Sequence, residues 1–122
     1  MIFNGTILNV CDNSGVKWVQ CIKVLGGKPK TFGRPGDIIV VSIKTAKSLS
    51  KIKKKDIYKA IIVRVKKKIS REDGSSISFS QNSAVLLNVK GTPIGSRVFG
   101  PVAKELRIKK NIKLISLCTK ML

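Results

Sequence analysis

Residues 57–66 read Ile57-Tyr58-Lys59-Ala60-Ile61-Ile62-Val63-Arg64-Val65-Lys66. The unbroken aliphatic stretch Ala60–Val63 is too short for an amphipathic helix, and the segment around it reads as the longest strand of the chain, with Ile62 in the interior. Shorter runs of the same kind recur on both sides, each bounded by Gly, Pro, Asn, Asp or Ser. Thr6–Val10 ends at Asp12-Asn13-Ser14-Gly15, and Lys17–Leu25 ends at Gly26-Gly27. Asp37–Lys44 follows the turn Arg34-Pro35-Gly36. Arg71-Glu72-Asp73-Gly74 reads as a hairpin turn leading into Ser75–Phe79, with Ser83–Val89 as a further strand. Five or six short strands without intervening helices predict a mainly β fold, a small closed barrel or a sandwich.

The end of the chain reads differently. Pro101 suits a first helical position, and Val102 and Leu106 lie four apart on one helical face. Ile112, Ile115 and Cys118 suggest a second short helix. The expectation is a single domain over 1–122, with the barrel over about 1–99 and a C-terminal helical part over about 100–122.

Charge is the outlying property. Lys and Arg number 25 against six acids, a net charge of +19, while hydrophobic residues at 43% suffice for a compact core. Carrying such self-repulsion points to a polyanionic partner, with nucleic acid the first candidate. The candidate phosphate-binding cations begin with Lys17, Lys23, Lys28, Lys30 and Arg34. Lys44, Lys47, Lys51, Lys53, Lys54 and Lys55 form a cluster in a stretch poor in large apolar residues. Arg64, Lys66, Lys67, Lys68 and Arg71 form another, expected at the tip of the hairpin. Lys104, Arg107, Lys109, Lys110 and Lys113 make a third. Single surface lysines would signify only solvation; clusters with almost no compensating acid favour phosphate contact.

Other chemistries find little support. The chain has no His, the usual base and ligand near neutral pH. Asp12, Asp37, Asp56 and Asp73 sit at turns or strand edges, where capping is their ordinary role. Gly26-Gly27-Lys28-Pro29-Lys30-Thr31 lacks the Gly-Lys-Ser/Thr ending of a phosphate loop. Cys11, Cys21 and Cys118 are odd in number and show no C-x-x-C, so they read as small buried hydrophobes in a reducing compartment, with no metal or other cofactor expected. No apolar run approaches the roughly 20 residues of a membrane span. The start, MIFNGTILNV, lacks signal- or transit-peptide character, so the protein is expected to work where it is made. Among the aromatics, Phe79 and Phe99 read as core or staple residues, leaving Trp18, Phe32 and Tyr58 as possible base-stackers. That pattern favours folded RNA, read through phosphates and shape, over a free single-strand binder or an RNA-processing enzyme.

The chain resembles the universal large-subunit ribosomal protein fourteen family in its bacterial or organellar form. The family signature is met by Ala60-Ile61-Ile62-Val63, Asp73-Gly74, Phe79, Asn82 and Val85-Leu86 at the family's spacing. LNVCDNSGVK (8–17), QCIKVLGG (20–27), PGDIIVVSIK (35–44), PIGSRVFGPV (93–102), KELR (104–107) and KLISL (113–117) agree as well. Ser80 in place of an acid, the ending Cys118-Thr119-Lys120 and a shorter Asn88–Thr92 connection depart from the bacterial pattern. The resemblance implies a five-stranded barrel with a protruding hairpin and C-terminal helices. It also implies binding to large-subunit rRNA, neighbours in ribosomal proteins three and nineteen, and bridges to small-subunit rRNA. Ser96, Arg97, Lys113 and Ser116 would lie on the inter-subunit face, where factors that keep the subunits apart also dock. Twenty Lys against five Arg, with Ile the commonest apolar residue, suggest an AT-rich genome and hence a mitochondrial ribosome, with a plastid or bacterial one as the alternative.

Overall fold

A computed structural model of the chain describes residues 2–26, 32–46, 56–67, 69–70, 73–88, 90–95, 97–103 and 120–121. The elements are β1 (Ile7–Val10), β2 (Val16–Val24), β3 (Ile38–Ala46), β4 (Ile57–Arg64), β5 (Ile69–Ser70), β6 (Ser76–Ile77), β7 (Ser83–Leu87), β8 (Pro101–Val102) and β9 (Lys120–Met121). Strands β1-β2-β3-β4-β7 hydrogen-bond in that order and close into a barrel. Within the barrel every pairing is antiparallel except the closure, where β1 and β7 run parallel with Asn9 opposite Ser83 and Val10 opposite Ala84. Five strands leave an interior just wide enough for side chains. Leu8, Val19, Val41, Ile43, Ile62 and Leu86 fill it. Ile2 belongs to the same core and bridges Gly33, with backbone bonds of 3.0 and 2.6 Å. A Cβ on Gly33 would stand 2.5 Å from Ile62 Cδ1, so only glycine lets this bridge lie against the barrel core.

A second core lies outside the barrel wall. Cys11, Ile61, Val63, Val85, Leu87, Val98 and Val102 are buried together, because the 97–103 segment covers the outer faces of β4 and β7. The Ala103 amide donates to Val63 O at 3.0 Å and the Phe99 amide to Cys11 O at 2.6 Å. Double coverage explains why Ala60–Val63 of β4 and Ala84–Leu87 of β7 are apolar and buried at every position, whereas the first half of β4 alternates.

Strands β2 and β3 are irregular by contrast. Val16 pairs with Ala46 and Trp18 with Thr45, leaving Lys17 unpaired; Val19 pairs with Ile43, leaving Lys44 unpaired; Lys23 pairs with Val40, leaving Ile22 unpaired. Each is a bulge, and each adds a second outward residue, so β2 shows exposed doublets at Lys17-Trp18 and Ile22-Lys23.

The strands expected from sequence are present to within two residues at each end, and Ile62 is fully buried. The hairpin of β5 and β6 turns at Asp73-Gly74, with Gly74 at φ +86 and Asp73 Oδ1 accepting from the Ser75 amide (3.0 Å) and hydroxyl (2.6 Å). Asp37 caps the Arg34 amide at 2.8 Å. Asp12 accepts from the Ser14 amide and hydroxyl at 3.1 and 2.5 Å, and from the Leu86 amide at 3.3 Å. Cys11 and Cys21 are buried, and burial pushes the Cys21 thiol above its ordinary value, partly opposed by a backbone hydrogen bond at Lys23.

Several expectations need correcting. Pro101 does not start a helix: with Val102 it forms β8, parallel to β9. The fixed φ of proline suits an edge strand as well as a first helical turn, so the residue alone did not discriminate. The segment 104–119, where the two short helices were expected, lies outside the described residues. Lys66 and Lys67 are at the base of the hairpin rather than its tip. The Lys66 amide donates to Asn82 Oδ1 at 2.8 Å, beside the bond from the Phe79 amide to Val65 O at 3.2 Å. Phe99 is 49% exposed, not a core residue.

Candidate nucleic-acid interface

The open wall of the barrel is built by β1, β2, β3 and the first half of β4. Register fixes which side chains share its outer rows. One row runs Asn9, Trp18, Thr45, with the bulged Lys17 and Lys44 beside it. The next runs Ile7, Gln20, Ser42, Ile57. A third runs Lys23, Val40, Lys59. With strands about 4.8 Å apart, Lys23 and Lys59 flank Val40 at roughly 10 Å from each other. None of these side chains is acidic. The result is a surface with cations at both ends and uncharged side chains between, suited to a phosphate backbone crossing the strands.

Lys17, Lys23 and Lys44 are exposed on this wall. Arg34 is exposed at the Gly33 end, its guanidinium 5.2 Å from the Phe32 ring centre, while Phe32 meets Phe3 at 6.2 Å and 53°. Lys66 and Lys67 are exposed at the hairpin base. Lys28, Lys30, Lys47, Lys51, Lys53, Lys54, Lys55, Lys68 and Arg71 lie outside the described residues, as do Ser96, Lys113 and Ser116.

Arg64 has a different position from the other cations of its group. Its guanidinium turns back along the barrel and donates to Phe99 O (3.2 Å), Pro101 O (3.1 Å) and Ser83 Oγ (3.1 Å). Gly100, at φ +77, lies directly against that guanidinium, so a Cβ there would collide with Arg64 Nη1. Arg64 thus clasps the 99–101 turn to the ends of β4 and β7. Arg97 is exposed, its amide donating to Asn13 Oδ1 at 3.2 Å. Gly95 serves by absence of bulk rather than by turning: a Cβ would stand 2.6 Å from Asn13 Oδ1. Arg97 and Phe99 are therefore carried on a segment fixed from both sides.

The sequence reading missed Lys59 and Lys90, both exposed. For Lys59 a signal existed, since it shares strand parity with Ile57 and Ile61 on the outer face. Among the described residues no three His, Cys, Asp or Glu are grouped to hold a metal, and no helix is long and apolar enough to cross a membrane.

The family model for Ribosomal protein L14p/L23e matches residues 1–122. With the whole length matched, the chain belongs to the ribosomal protein L14p/L23e family, structural and non-enzymatic proteins of the large ribosomal subunit.

Proposed function

We propose that this protein holds large-subunit rRNA through phosphate contacts spread over the open wall and the hairpin base, while the segment from Ser96 to Ser116 faces the small subunit. The observation that carries the first half is the set of outer rows on β1–β4, which present Lys17, Lys23, Lys44 and Lys59 without a carboxylate among them. The clasped segment supports the second half, because an inter-subunit contact needs a surface that keeps its shape when the partner is absent. Ser96, Arg97, Lys113 and Ser116 are the side chains assigned to that face, where small-subunit rRNA or a factor keeping the subunits apart would dock. Ribosomal proteins three and nineteen are its proposed neighbours. Its excess of Lys over Arg and its many Ile fit an AT-rich genome, and the ribosome we assign it to is mitochondrial, with a plastid or bacterial one as the alternative.

Arg97 is the sharpest probe of the inter-subunit half, since its planar fork can bind a phosphate in a bidentate manner that Lys cannot copy. Arg97→Glu should leave large subunits assembled but weaken their joining to small subunits or capture of a separating factor, read by sucrose-gradient profiles. Normal joining and normal factor capture would contradict the assignment. Loss of the large subunit itself would make Arg97 an rRNA contact instead.

A further inference from the structure

We propose that Trp18, flanked by Lys17 and Lys44, is a stacking platform for one unpaired nucleotide of the bound RNA; this rests on the rRNA-binding reading and names a site within it. The bulges of β2 and β3 set the geometry. In a regular ladder Lys17 and Trp18 would point to opposite faces. The unpaired Lys17 on β2 and the unpaired Lys44 on β3 break that alternation at the same level of the barrel, so two lysines and one indole emerge together. The start of β2 is also stiff, since the preceding turn is tied down by three hydrogen bonds to Asp12. Bulges are a recurrent way of aiming a side chain at a ligand.

Of the three aromatic candidates, the other two are committed elsewhere. Tyr58 packs against the barrel core. Phe32 carries the Arg34 guanidinium and abuts Phe3. Trp18 is 43% exposed on the open wall. Asn9 and Thr45, paired with it from either side, offer an amide and a hydroxyl to the edge of a base. A nucleotide brings both a π-face and neighbouring phosphates, which this group matches with an indole and two ammonium groups. Acidic aromatic peptides fit less well, because the wall offers no donor fork to hold a carboxylate.

Trp18 is the single tryptophan of the chain, so intrinsic fluorescence reports on this site alone. The full chain is titrated with oligoadenylate and with inorganic polyphosphate, while binding is followed independently by anisotropy of labelled RNA. Oligoadenylate should quench Trp18 strongly; polyphosphate, having no bases, should bind with little quenching. Trp18→Ala should weaken oligoadenylate binding roughly tenfold or more, Trp18→Phe much less, with polyphosphate affinity unchanged in both. Thermal midpoints close to the parent protein would show that the barrel is intact in both variants. Equal, weak quenching by both polyanions, or unchanged oligoadenylate affinity in Trp18→Ala, would overturn the platform while leaving the phosphate-binding reading in place. If the parent protein bound neither polyanion, the rRNA-binding reading would fall, and the platform with it.

Discussion

Ile57 and Ile61 lie on the same strand, share its outward face and stand two pleat repeats apart, yet Ile57 is 66% exposed and Ile61 only 3%. The difference is the 97–103 segment, which covers the second half of β4 and stops short of the first. A barrel wall covered on both sides can be apolar at every position, and here it reads Ala60-Ile61-Ile62-Val63. The bare wall has to satisfy water outside and core inside, so it alternates, and where bulges interrupt the alternation the extra residues are Lys17, Lys44 and Ile22. One wall therefore holds the 97–103 segment, and the other stays exposed and carries lysines.

The largest test of that contrast is truncation of the covered side. Ile62→Ala and Ile61→Ala should each cost about 2–5 kcal/mol in chemical denaturation, the first by opening the barrel interior and the second by opening the outer core. A loss near zero for Ile61→Ala would mean that the covering segment contributes no real core. Arg64→Ala should come next, at roughly 1–3 kcal/mol, because two carbonyls of the 99–101 turn and the Ser83 hydroxyl lose their donor. Arg64→Lys should recover only part of that, since an ammonium cannot replace the planar fork. Ile57→Ala, on the same strand and the same face as Ile61, should change stability by no more than about 0.5 kcal/mol. Replacing Lys66 and Lys67 by Glu should move the thermal midpoint least, while weakening RNA binding markedly. A collapse of the midpoint would make these side chains structural. Cys21 should resist alkylation until the barrel unfolds, as its burial and raised thiol value require.

Much of this arrangement is legible in the amino-acid order. Short runs closed by Asp12-Asn13-Ser14-Gly15, Arg34-Pro35-Gly36 and Asp73-Gly74 place the barrel strands, because turn chemistry is local. The capping roles of Asp12, Asp37 and Asp73 follow from the same local chemistry. What local pattern does not carry is pairing across distance. Strand β8 forms because Pro101 and Val102 meet Lys120 and Met121, a partner that no nearby residue signals. Arg64 looks like one more cation in a basic cluster, since its three acceptors lie far along the chain. The bulges leave no Gly or Pro mark in β2, so the exposure of both Lys17 and Trp18 emerges only from the register.

The basic wall itself is most directly tested by the salt dependence of affinity for a large-subunit rRNA fragment. Each phosphate neutralised should contribute about −0.7 to −0.9 to the slope of log affinity against log salt. The expected slope for the parent protein is steep, several units, and it should become shallower by about one for each of Lys17, Lys23, Lys44 and Lys59 that is replaced by Gln. A flat salt dependence, or a slope untouched by those replacements, would contradict the assignment of the open wall to the RNA backbone.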